Sequence, residues 1–153
     1  MKEQEGEMLP YEEREELDRK KEYLAWLDFA QRDLDTAKYL NDGTLYPKPI
    51  EIICYHCQQA VEKAVKALVV YFGSPGGIPK VHDIAFLLNQ IKHVLKSEMD
   101  VEINDELLEK AESLTKYGIA PRYPNEIEIT EQMTAAALRD AAELFGWVKA
   151  LMP

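Results

Sequence analysis

The residues with the types and spacing to do chemistry cluster first between Cys54 and Gly73, where the chain reads CYHCQQAVEKAVKALVVYFG. Two cysteines stand three apart with His56 between them, the outline of half a zinc site or of a redox pair. A structural zinc needs four ligands, usually as two close pairs. The chain has no other cysteine, and its remaining histidines, His82 and His93, are far apart in sequence. A thioredoxin-type pair needs a preceding strand and a helix N-terminus, and a c-type haem needs histidine directly after the second cysteine, where Gln58 stands. The spacing of three puts Cys54 and Cys57 on one helix face with Ala60, Ala64 and Leu68, so the pair reads as small core hydrophobes. No metal site and no cofactor is expected.

Two other sets suit an anion. Lys80 and His82 precede a leucine-rich helix, whose first N–H groups are unpaired and whose dipole end is positive, so they are placed to hold a phosphate. Asp83 beside them suits the helix's own cap equally well. Arg122 and Tyr123 lie between two prolines in GIAPRYPNEIEI, and a guanidinium fork beside a ring makes a cradle for phosphate and base. Lys80, His82, Arg122 and Tyr123 are therefore the candidate ligand-binding residues. The competing assignment makes His82 a capping residue and Arg122 the partner of a glutamate. No Ser-His-Asp or paired-carboxylate spacing stands out, so no catalytic residue is assigned; a hydrolase using His82, His56 or Arg122 is the rival class.

These residues have to be positioned by helices, because strand signals are almost absent. Leu24, Leu27, Ala30, Leu34, Ala37 and Leu40 recur at three and four residues and predict a helix over about 20–41, with a shorter acidic helix ahead of it. A second runs over about 49–72, with Ile53, Cys57, Ala60, Ala64, Leu68 and Tyr71 inward, Gln58, Glu62, Lys63 and Lys66 outward, and Glu62 and Lys66 as a surface i,i+4 pair. Others are expected over about 82–96 and 104–117, and a last one follows Thr130 as N-cap. The expected architecture is all-α, a single up-and-down bundle of four to five helices over residues 20–153, behind an acidic, partly frayed segment 1–19.

Charge narrows the function. The formal net charge is -10, which argues against general nucleic-acid binding. It is unevenly spread: residues 1–55 carry -6, 56–96 carry +3, and 97–153 carry -7. A basic middle third within an acidic chain can steer a small anion to one place and repel polyanions elsewhere. The absence of a leader-like start and of any apolar run near the roughly 18 residues of a membrane span points to a soluble, cytoplasmic protein.

Three stretches together carry a resemblance. YHCQQAVEKAVKALVVYFG, PKVHDIAFLLNQI and LTKYGIAPRYP, in this order, resemble the HEPN family of small helical domains, over about residues 20–150. Many members of that family are metal-independent ribonuclease toxins that use an arginine followed, after four to six residues, by histidine. None of Arg14, Arg19, Arg32, Arg122 and Arg139 is followed by such a histidine. The resemblance thus implies the minimal, non-nuclease type: a nucleotide-binding or partner-binding module, acting with a small nucleotidyltransferase and paired as a homodimer. The alternative it leaves is a ribonuclease toxin with a degenerate active site.

Overall fold

The computed structural model describes residues 10–73, 77–118 and 128–153. Five α-helices follow one another: α1 Tyr11–Asp42, α2 Ile50–Tyr71, α3 Ile84–Met99, α4 Asp105–Thr115 and α5 Glu131–Leu151, with a 3-10 turn at Lys116–Gly118 after α4. No strand occurs among the described residues. The all-α bundle is as expected.

Local chemistry sets most of the ends. The carboxylate of Asp83 accepts from Phe86 N at 3.1 Å and caps α3. Asn104 caps α4 through Leu107 N, and Thr130 caps α5 through Met133 N, as its sequence position predicts. α3 ends where Asp100 turns into the left-handed region at φ 53°, so that its N–H and that of Val101 reach the Lys96 and Leu95 carbonyls.

Two boundaries differ from expectation. α1 begins at Tyr11, not near residue 20, and runs unbroken through the segment read as a separate acidic helix. Nothing in YEEREELDRKKEYL breaks a helix, and glutamates in its first turn favour the N-terminal dipole end. Residues 11–19 are thus helical, although solvent surrounds them. α3 begins at Ile84, which leaves His82 just outside the helix, ahead of the Asp83 cap.

α2 is the centre of the molecule and touches α1, α3, α4 and α5. It contributes Ile53, Val61, Val65, Leu68 and Val69 to the core, against Leu87, Leu88 and Ile91 of α3 and Ala141, Leu144 and Val148 of α5. Cys54 and Cys57 are fully buried among them. Burial pushes the Cys57 thiol up to about 12 and raises that of Cys54 as well. Protonated, solvent-shielded thiols are packing groups, as read from the sequence.

The expected inward set needs correction at several places. Leu24 is exposed on α1, while Tyr23 is buried in its stead. On α2, Gln58, Glu62 and Lys66, expected outward, are buried, and Lys63 is half-buried. Tyr71, Phe72 and Trp147 pack partly buried against the core, and Phe86 is exposed.

Candidate functional site

The buried polar residues of α2 form a connected site with the approach to α3. Glu62, whose side chain is 4% exposed, places Oε1 2.9 Å from His82 Nδ1 and Oε2 3.1 Å from Lys66 Nζ. Gln58, fully buried, donates from Nε2 to Glu62 Oε1 at 3.0 Å and to the His82 carbonyl at 3.2 Å. It accepts from Gln59 Nε2 at 2.7 Å. Lys66 Nζ also lies 5.7 Å from the centre of the Trp26 ring, so its charge is shared between a carboxylate and a π face.

A carboxylate only accepts, so His82 Nδ1 is the donor and Nε2 is left for something else. The His82 side chain is 71% exposed, and Nε2 therefore meets solvent while Nδ1 is pinned to a buried charge. His82 is neither a cap nor a first-turn residue. Asp83 fills the cap, and Thr115 Oγ1 accepts from Ile84 N at 3.3 Å. The Ile84 and Phe86 N–H groups are thus already bonded and are not free donors for an anion. Lys80 is exposed at the same approach.

Gly118 closes the site on its other side. A Cβ there would come within 3.2 Å of Gln58 Cδ, so glycine allows the chain to pass against the buried amide. Arg122 follows four positions later; Arg122 and Tyr123 lie outside the described residues.

A second site of the same design sits on α1 and α2. Asp33, buried, places Oδ1 2.8 Å from His56 Nδ1 and Oδ2 2.6 Å from Lys63 Nζ. Each carboxylate thus holds an imidazole Nδ1 on one oxygen and a lysine on the other. Neither His–carboxylate pair is legible from spacing, since the partners are separated by 20 and 23 residues. One signal was available: fourteen of the 22 residues of α2 are buried, and a helix apolar on nearly all sides takes its polar residues inside with it.

Two crevices of about 390 and 430 Å³ lie elsewhere, where the first half of α1 meets the end of α2 around Arg19. Glu15, Asp18 and Glu22 outnumber Arg19 in one, which therefore does not suit an anion, and the other sets Glu16 and Glu98 against Arg19 and Lys20. No group of three or more metal-ligating side chains occurs among the described residues. No helix there is long and apolar enough to cross a membrane.

Comparison with known proteins agrees with this architecture. The HEPN domain family matches residues 23–151. This chain belongs to the HEPN domain family. It is 31% identical over 132 residues to a Methanocaldococcus jannaschii protein named "Putative toxin MJ1304", covering 78% of this chain and 81% of that one. Among solved structures it resembles TT1696 from Thermus thermophilus, with a TM-score of 0.65 and 27% identity over 84% of this chain and 96% of that one. It also resembles ST0689, described as an archaeal HEPN homologue, with a TM-score of 0.63 and 27% identity over 86% of this chain and 98% of that one.

Proposed function

We propose that this chain is a nucleotide-binding or partner-binding HEPN module, without catalysis of its own, that acts as a homodimer together with a small nucleotidyltransferase. The observation that carries the reading is His82, an exposed imidazole held through Nδ1 by a buried carboxylate, with exposed Lys80 two residues before it in the chain. A ring held in one orientation by a buried carboxylate meets a ligand without losing much freedom of its own. Lys63, Lys66 and Lys96 of the basic middle third are paired with carboxylates, so the attraction rests on Lys80 and His82, while the acidic remainder repels long polyanions. Arg122 and Tyr123 complete the proposed ligand set.

Calorimetry with AMP, ADP and ATP tests this. Binding in the micromolar to millimolar range is expected, and Arg122→Glu should weaken it by more than about 2 kcal/mol, because a like charge replaces a phosphate-matching fork. Lys149→Glu, at the end of α5, should do little. No binding at millimolar concentration, or equal loss in both variants, removes the nucleotide pocket and leaves this surface as a face for a protein partner.

One observation favours a second reading. An imidazole oriented by a carboxylate is also the arrangement of a general base, and the chain is similar to a protein named as a toxin. RNA cleavage by the purified protein that disappears in His82→Ala would establish a ribonuclease in place of the module.

A further inference from the structure

The outward side of α1 carries a pattern for which a single chain has no use. Leu17, Lys21, Leu24, Asp28, Arg32, Asp35 and Tyr39 recur at three and four residues, and so line one stripe over about 33 Å of helix. All seven are exposed, Leu17 and Leu24 at 46% and Tyr39 at 77%. The opposite side of α1 buries Tyr23, Ala30, Leu34 and Ala37, and among the described residues the helix packs only on α2 and α5. The charges of the stripe cancel, although the chain as a whole carries -10. Copies of so acidic a chain repel each other over most of their surface, and a neutral stripe is where that repulsion is least. The order of the charges also matters: a lysine near one end, an aspartate near the other, and between them Asp28 and Arg32 joined at 2.8 Å.

Building on the homodimer in the reading above, we propose that this stripe is the face on which a second copy of the chain docks, the two α1 helices running antiparallel about a two-fold axis at Asp28. A two-fold contact must be complementary to itself, and this stripe is so when one copy is reversed. Leu17 then lies level with the partner's Tyr39, and Leu24 with the aliphatic stem of the partner's Arg32. Lys21 lies level with the partner's Asp35. Each of these pairs occurs twice, once on either side of the axis. At the centre the two Asp28 carboxylates approach each other, and each is already held by the Arg32 of its own chain, whose fork also reaches the partner's carboxylate. A parallel pairing would set Lys21 against Lys21 and Asp35 against Asp35, and like charges brought together in this way disfavour it.

Sedimentation equilibrium of the full chain gives the dimer dissociation constant, and a charge swap tests the register. Lys21→Asp and Asp35→Lys should each raise that constant by about tenfold or more, because two like-charge contacts replace two ion pairs. The double variant, Lys21→Asp with Asp35→Lys, should return to within about threefold of the unaltered protein. The two positions stand about 21 Å apart along one helix, so they cannot meet within a chain, and such a rescue passes only between copies. Circular dichroism confirms that each variant is folded. If the unaltered protein is a dimer and neither single change weakens it, or the double variant stays as weak as the single ones, the α1 face is refuted and the homodimer stands on another surface. A monomer at tens of micromolar refutes both.

Discussion

Glu62 is the residue on which most of the polar chemistry turns. It is buried, bonded to Lys66, Gln58 and His82, and no change to it is local. Removing one member of a buried ion pair leaves the other charge without compensation, and such losses cost far more than surface pairs do. Glu62→Ala should therefore lower stability by about 3 kcal/mol in urea unfolding. A loss below about 0.5 kcal/mol would mean that Lys66 finds water and that the pair behaves as a surface one. The buried thiol and phenol make a separate prediction. Burial pushes Cys57 and Tyr117 each up to about 12, above their ordinary values near 9 and 10. A group whose folded pKa is raised lends stability that is fully present below its unfolded pKa and is lost as pH climbs toward the folded one. The thermal midpoint should hold to about pH 8 and fall steadily from pH 9 to 11. Alanine at both Cys54 and Cys57 should soften the part of the fall that the thiols cause. A midpoint flat through pH 11 would contradict the burial of these groups.

At the scale of elements, the site depends on how the end of α4 passes α2. The 3-10 turn brings Gly118 against the Gln58 side chain, and Gln58 in turn holds the His82 carbonyl, so a turn after one helix fixes the entry to another. Gly118→Ala would put a methyl group 3.2 Å from a buried amide that is bonded to Glu62, Gln59 and His82. The amide has little room to retreat, and overpacking of this kind costs about 1 kcal/mol or more. The expected outcome is a lower unfolding midpoint together with a shift in the His82 ring resonances, since the strain passes through Gln58. Loss of stability with unmoved His82 resonances would show that Gln58 does not couple the two. Gly146, by contrast, has open space around the position of a Cβ, and Gly146→Ala in α5 should be neutral or stabilising by up to about 1 kcal/mol.

For the whole molecule the question is what covers the apolar groups left outside. Phe29, Leu24 and Tyr39 on α1, Ile52 on α2 and Phe86 on α3 are all exposed. Scattered apolar residues are ordinary on a surface, but five large ones on the three helices that build the site fit association of two copies. Light scattering at tens of micromolar should report about twice the 17.6 kDa chain mass, with an interface above about 1,000 Å². A species at 17.6 kDa alone would remove the dimer and leave the nucleotide reading to stand or fall by calorimetry.

The sequence by itself determined the all-α class, the rough course of the helices and the family. Asp83, Asn104 and Thr130 act within three residues of themselves, so a local rule suffices to read them. The cysteines were legible too, because a spacing of three on an apolar face decides for packing before any partner is known. Only the tertiary structure decided the polar site. Glu62 and Lys66 look like a surface i,i+4 pair from their spacing, and the same two residues become a buried pair once Trp26 of α1 and His82 close over them. Whether a charge is solvated depends on what packs above it, and here that comes from segments 20 to 40 positions away in the chain. The same holds for Asp33, which spacing leaves as one acidic residue among many on α1. Its His56 and Lys63 partners come from α2, and close packing of the two helices turns three unremarkable residues into a site.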